Sequence, residues 1–327
     1  MTGKMRAVLV PTNGGSDVLE PTEVDAPEPG PGEVLVDVAA AGVNYIDTYQ
    51  REGRYPVPTP FVLGLEGAGT VRALGDGVSE FKVGDRVAWM QALGSYAEQL
   101  AVPADKLVHV PDGVSDESAA ALFLQGTTAH YLTHSTYAVQ PGDWVVVHAA
   151  AGGVGLLLTQ VVKLLGGHVL ATTSTPEKAE LAKSAGADEV TTYDAFADRA
   201  HELTGGEGVA CVYDGVGQAT FDSSLDALRA RGMMALFGAA SGPVPPVDPQ
   251  QSLGGKGSLF LTRPMFADYT RTREEVLARA DDLLRWVEAG DLAVRIGARY
   301  PLADARQAHD ALEGRRTTGK VLLLPRS

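Results

Sequence analysis

The run Val145-Val146-Val147-His148-Ala149-Ala150-Ala151-Gly152-Gly153-Val154-Gly155, followed by Leu156-Leu157-Leu158 and Val161-Val162, constrains this chain more than any other stretch. A β-branched apolar run, a glycine cluster and then apolar residues at helical spacing is how a dinucleotide-binding strand–turn–helix unit begins. Glycine is needed there because backbone N–H groups must come close to a pyrophosphate. The free amides and positive end of the next helix then hold it. Ala150 stands where the common G-x-G-x-x-G has its first glycine, and Gly152, Gly153 and Gly155 follow. Alone, the pattern describes a tight strand–helix turn equally well, so its surroundings decide.

Those surroundings alternate. Val169–Thr173 reads as a second buried strand, and Pro176 opens a helix through Ala185 that Gly186 closes. Glu189–Thr192 is a third strand, with a helix across Ala195–Leu203 ending at Gly205-Gly206. Val209–Asp214, Met233–Phe237 and Ser258–Thr262 are the fourth, fifth and sixth. Short apolar strands separated by helices mean a parallel, doubly wound sheet in an α/β fold, with the glycine turn at the carboxyl end of its first strand.

The chain has 327 residues, too many for one ordinary domain and suited to two. Residues 1–124 are β-leaning: Val34–Val38, Gly69–Gly75 and Asp85–Trp89 are strand-like, punctuated by turns such as Pro29-Gly30-Pro31-Gly32. The nucleotide-binding domain spans 125–265. In 266–327 an amphipathic helix at Arg273–Ala289, strands near Val294–Tyr300 and Lys320–Leu324, and a helix at Ala303–Leu312 return to complete the first domain. That arrangement places the active site in a cleft between domains. No apolar run is long enough for a membrane span, and the amino terminus lacks the features of a secretory signal. The single cysteine, Cys211, lies in a core strand as a small buried hydrophobe, which with the absence of intrachain disulfides fits the cytoplasm. A net charge of −14 argues against a nucleic-acid binder and against anionic membranes.

Six segments then invite comparison with a known family: Ala41–Tyr49, Gly64–Gly69, Val83–Val87, Gln125–Ala129, Ala149–Gly155, and Gly257–Leu259 through Thr262–Pro264. With these in order along nearly the whole chain, it resembles the medium-chain dehydrogenases/reductases, and within them the zinc-independent NADPH:quinone oxidoreductases related to ζ-crystallin. The resemblance implies a β-rich GroES-like catalytic domain, a Rossmann domain, and a homodimer made by pairing Rossmann edge strands. Zinc-dependent relatives carry Cys, His-Glu and a second Cys in the cleft. Here Asn44 takes the first position and Leu65 that of the histidine, while Glu66 remains. A catalytic zinc needs about three ligands and a structural one four, which a single cysteine in the other domain does not supply. His130 and His134 share an i, i+4 spacing but have no third ligand nearby in sequence. No metal is expected.

Which nicotinamide cofactor fits depends on the end of the second strand, where NAD sites place an acid. This chain has Thr173-Ser174-Thr175-Pro176-Glu177-Lys178. The small hydroxyl residues leave room for a 2′-phosphate without like-charge repulsion, and Lys178 supplies an opposing charge. Tyr193 and Arg315 match the family's other 2′-phosphate contacts, with Gly238 and Arg263 completing the expected set. This favours NADPH over NADH. Lys178 as a solvated lysine and Glu177 as a ribose ligand stay open as the competing reading.

No nucleophile elbow, Ser/His/Asp set or carboxylate pair is evident, so hydrolysis has no support. Hydride transfer asks only for a bound cofactor, a shaped cleft and a donor for the reduced acceptor. By resemblance, Asn44, Tyr49 and Tyr55 line the nicotinamide end with Gln125 and Thr127 nearby, though a tyrosine alone is more often a packing residue with a satisfied hydroxyl than a catalytic one. The expectation is reduction of a small-molecule quinone by NADPH. Two alternatives stay open: an enal or enone reductase, and a nucleotide-binding protein without turnover.

Overall fold

The computed structural model describes residues 3–326. Two units are present: the chain up to Leu124 with Val276–Gly290 and the chain from Val294 onward, and Gln125–Glu275 with Asp291–Ala293. Before the glycine turn come β1 (Lys4–Val10), β2 (Glu20–Asp25), β3 (Glu33–Val43), α1 (Tyr45–Arg51), β4 (Phe61–Val62) and β5 (Glu66–Leu74). They are followed by β6 (Arg86–Met90), β7 (Gln99–Pro103), β8 (Leu107–His109) and α2 (Asp116–Tyr131). The nucleotide-binding motifs fall on β9 (Trp144–Val147), α3 (Gly153–Leu164), β10 (His168–Thr172), α4 (Pro176–Ser184), β11 (Glu189–Thr191) and α5 (Phe196–Leu203). After them run β12 (Val209–Asp214), α6 (Phe221–Asp226), β13 (Leu228–Leu236) and β14 (Phe260–Thr262). The last elements are α7 (Arg273–Ala289), β15 (Ile296–Pro301), α8 (Ala305–Glu313) and β16 (Lys320–Leu324).

In the first unit β3 is longer than the apolar run Val34–Val38, because the small residues Ala39–Gly42 continue the ladder to Val43. It pairs antiparallel with β5, β7 and β16, and β16 also pairs parallel with β15. The larger sheet runs β15-β16-β3-β5-β6-β8, beside a small sheet β2-β1-β4. Val321, Leu322 and Leu323 of β16 are all buried, the mark of a strand covered on both faces. α8 presents Ala305 and Ala308 to a core with Val8, Val10, Leu63, Tyr96, Val321 and Leu323.

The second unit is the doubly wound sheet that the alternation predicts. Its order is β11-β10-β9-β12-β13-β14, with every pairing parallel. The chain leaves β9 outward through β10 and β11, then returns to β12 on the other side. This makes the carboxyl ends of β9 and β12 the switch point at which ligands bind. β12 is buried throughout and carries Cys211 in the core, as its composition indicates; burial raises the thiol's pKa. The fifth strand starts at Leu228 rather than Met233, because pairing with β12 resumes across a bulge between Val209 and Cys211. Among the described residues no helix is long and apolar enough to cross a membrane.

Candidate active site

Gly152 caps α3 in extended conformation, and Gly153, Val154 and Gly155 form its first turn. The first amides of a helix have no partner within it, so they stand available at its positive end. Ala149 enters the turn with φ +49, and its N–H donates to the Tyr193 phenolic oxygen at 3.1 Å. Gly155 is required by crowding, since a Cβ there would collide with the Ala149 carbonyl, while a Cβ on Gly153 would displace the carboxamide of Gln125. Gln125 therefore lies against the helix start, and Thr127, two residues further on α2, is buried.

Other predicted cofactor residues gather along the same carboxyl edge of the sheet. Ser174 is exposed just past β10, and Thr175 caps α4 by accepting the Lys178 N–H at 3.3 Å. Glu177, also exposed in that first turn, has its carboxyl pKa lowered by its own backbone N–H and by Thr175. Tyr193 follows β11. Gly238 follows β13, where its N–H reaches the Asp214 carbonyl at 3.3 Å. The Arg263 guanidinium, past β14, donates to the Leu236 carbonyl at 3.1 Å. Sequence reasoning thus placed these residues on one edge.

It missed what lies beneath them. His148 is buried at the end of β9, with Nδ1 2.9 Å from Thr172 Oγ1 and Nε2 2.9 Å from Ser224 Oγ. Ser224 donates onward to Asp214 Oδ2 at 3.1 Å, so its oxygen accepts the imidazole Nε2–H, and the Thr172 hydroxyl donates to Nδ1. Burial pushes the imidazole down to about 4, keeping it neutral. Asp214 also takes the N–H groups of Val216 and Gly217 at 2.7 and 2.9 Å and the Thr220 hydroxyl at 2.7 Å. The serine proton points at the carboxylate rather than at the imidazole, so this is no nucleophilic triad. It is a fully bonded floor that fixes the loop after β12. Nothing in the local sequence separates His148 from a solvated histidine.

In the first unit, Asn44 caps α1 and Tyr49 sits on it, with Tyr55 in the loop beyond. The rings of Tyr49 and Tyr55 meet edge to face at 5.6 Å, and the Tyr55 N–H donates to the Tyr49 carbonyl at 3.2 Å. Arg315 follows α8 with φ +56, and its charge lies close enough to act on the Tyr45 phenol. Asn44 is buried, with Nδ2 3.0 Å from Glu66 Oε2 and 3.3 Å from the Gly42 carbonyl, while Lys320 Nζ donates to its Oδ1 at 2.8 Å. Lys320 also pairs with Glu66. Among the described residues no group of three or more His, Cys, Asp or Glu could hold a metal. His130 and His134 stack at 4.1 Å, and His134 Nδ1 lies 2.9 Å from the His130 carbonyl.

A second buried chain leaves the same helix. Asp47 Oδ2 accepts the Asn44 N–H at 2.8 Å and the Tyr96 hydroxyl at 2.9 Å, and burial pushes its carboxyl up to about 7. Tyr96 Oη lies 3.2 Å from His309 Nε2, and Arg51 donates to His309 Nδ1 at 3.0 Å. A guanidinium only donates, so Nδ1 is the acceptor, Nε2 carries the proton, and every bond runs from Arg51 toward Asp47. Burial, and then the Arg51 charge, push His309 down to about 3. Arg51 itself is anchored by Glu313 at 2.7 Å.

Comparison with known proteins agrees with this architecture. Residues 30–112 match the alcohol dehydrogenase GroES-like domain, and 153–279 match the zinc-binding dehydrogenase model. The quinone oxidoreductase of Pseudomonas aeruginosa is 48% identical over 95% of this chain and 97% of its own length. A 2-haloacrylate reductase of a Burkholderia species is 41% identical over 98% of this chain and 99% of its own length. The structure of Escherichia coli quinone oxidoreductase complexed with NADPH superposes with a TM-score of 0.95 at 42% identity, covering 98% of this chain and all of that one. With the doubly wound sheet, the glycine turn and near full-length identity in hand, the chain belongs to the quinone oxidoreductases of the medium-chain dehydrogenase/reductase superfamily.

Proposed function

We propose that this chain reduces quinones with NADPH and needs no metal to do so. One observation carries the reading: α3 opens on a glycine turn at the sheet's switch point, and the neighbouring strand β10 runs out into Thr173-Ser174-Thr175, with no acid at the strand end and Lys178 in the first turn of α4 beside Glu177. The donor set fits the cofactor. Amides of Gly153, Val154 and Gly155 take the diphosphate at a helix N-terminus. The Ser174 hydroxyl and Lys178 ammonium take the 2′-phosphate, Tyr193 holds the entry of the turn through Ala149, and Gly238 lies on the same edge, where the Gly215 backbone packs into the place of its missing Cβ. Arg263 and Arg315 add positive charge. In a chain of net charge −14, a polyanion binds only where cations are concentrated, which makes these few residues decisive.

Bound NADPH supplies a hydride; together with one proton from solvent it turns the quinone into a hydroquinone. For the acceptor, Tyr49 and Tyr55 offer flat aromatic surface and hydroxyl donors. Gln125 has its carboxamide beside the turn, with Thr127 following on α2, and Asn44 fixes the start of α1. The proposal includes a homodimer through β14, an edge strand on which Phe260 is 56% exposed, and a cytoplasmic location, supported by the lone buried thiol. Reduction of an activated C=C bond is the second reading, favoured by the Burkholderia relative.

Lys178→Ala tests the cofactor assignment. A charge-assisted phosphate contact is worth about 1.5–3 kcal/mol, so NADPH affinity is expected to fall roughly 10- to 100-fold while NADH affinity stays put. Equal losses for both would remove the basis for the preference. NADPH oxidation assayed with 1,4-benzoquinone, 9,10-phenanthrenequinone and 2-alkenals separates the two acceptor readings.

A further inference from the structure

Lys320 is an unusual residue to find where it is. It is 1% exposed, beside Glu66 at 0% and Asn44 at 4%, and no water-facing end relieves its charge. An ammonium is put in such a place only when partners are built around it. The strand register builds them. Val321 of β16 lies opposite Val43 and Leu322 opposite Gly42, while Gly67 of β5 lies opposite Ala41. Lys320, Glu66 and Asn44 therefore converge from three chain segments on one side of Gly42.

Gly42 makes the convergence possible. A Cβ there would stand 2.5 Å from Glu66 Oε2, 2.6 Å from Lys320 Cε and 2.7 Å from the Ala120 carbonyl. The bonds that follow are mutual. Lys320 donates to Glu66 and to Asn44 Oδ1, Asn44 Nδ2 donates to Glu66 Oε2 and to the Gly42 carbonyl, and Glu66 Oε1 accepts the Leu124 N–H at 2.6 Å. Both amide protons of Asn44 are thus committed inside the protein. Its orientation is set by the Lys320–Glu66 pair.

We infer that Lys320 is a positioning residue of the active site: its ammonium, seated in the space left by Gly42, locks the Asn44 carboxamide and through it the start of α1, which carries Tyr49. The inference rests on the proposal that Tyr49 serves the acceptor. It adds a residue from the far end of the chain whose role is to hold others rather than to touch substrate.

The test uses Glu66→Gln/Lys320→Met, which removes both charges together and leaves no unpaired buried carboxylate. With the folded content checked by circular dichroism, the double variant is expected to keep its NADPH Kd within twofold of the parent. Its kcat for quinone reduction should fall at least tenfold. Asn44→Ala should lose a similar factor, and adding it to the double variant should cost nothing more, because both act through one side chain. Parental kcat in the double variant, or losses that multiply, would overturn the inference. Should the parent enzyme reduce no quinone, the function proposal fails by itself and hydrogen exchange decides this one. The Asn44 side-chain amide is expected to exchange at least a hundredfold faster in the double variant; equal rates overturn it.

Discussion

At single-residue resolution, the first unit owes its pH response to two buried groups that pull in opposite directions. His309 sits near 3 in the folded chain against a usual 6.5. Between those values the unfolded chain carries a proton that the folded one lacks, so stability is lost as pH falls. Asp47 sits near 7 against 3.8. Between those values the folded chain keeps a proton that the unfolded one has released, so stability is lost as pH rises. Over the shared window, from pH 3.8 to 6.5, the two slopes of about 1.4 kcal/mol per pH unit oppose one another. His309→Gln keeps both hydrogen bonds, accepting from Arg51 and donating to Tyr96, but removes the titration. Urea unfolding at pH 6 and pH 4 should then show the variant gaining on the parent by about 1.4 kcal/mol per pH unit of acidification. A difference that does not change with pH would mean that folded His309 already takes up its proton. His148 is present in both proteins and cancels.

Among the elements, β14 is the exposed margin of the parallel sheet, a strand with one ladder to β13 and Phe260 turned outward. An edge of that kind pairs with another chain unless something blunts it. Leu261→Pro deletes one backbone donor on β14 and Phe260→Lys adds charge. The pair is expected to shift the sedimentation of the protein from dimer to monomer with the second unit's NADPH affinity intact; a monomeric parent would sink the dimer. The six strands of this second unit and the helices α3, α4 and α5 were legible in the sequence from apolar runs and Gly or Pro boundaries, as at Pro176 and Gly186, whereas the short α6 was not. β2 carries no such signal, while β1, between Gly3 and Pro11, and β4, between Pro60 and Gly64, have the boundaries but a mixed or very short apolar run. β2, Glu20-Pro21-Thr22-Glu23-Val24-Asp25, is a polar edge whose pairing comes from β1 and not from its own composition. The site divided in the same way. Glycines and small polar residues at strand ends announced a nucleotide, whereas Lys320, Tyr96, His309 and Asp214 acquire their roles only from partners far away in sequence. Lys320 heads an apolar strand and reads locally as a surface lysine.

For the whole molecule, the chain is threaded unevenly. The second unit is almost continuous, while the first takes its β15, α8 and β16 from the far carboxyl end. β16 lies inside its sheet, between β15 and β3, with Val321, Leu322 and Leu323 buried. Each such side chain contributes roughly 1.5–3 kcal/mol, so the strand alone is worth about as much as a domain's entire margin of stability. A chain ending at Gly319 should therefore lose the cooperative unfolding of the first unit and expose its apolar core to a hydrophobic dye, while still protecting the second unit's amides from exchange. Full protection of both units would refute this. On a ribosome the consequence is one of timing: the segment born first must wait, its central sheet open along one side, until residues made after the whole second unit slide in and close it.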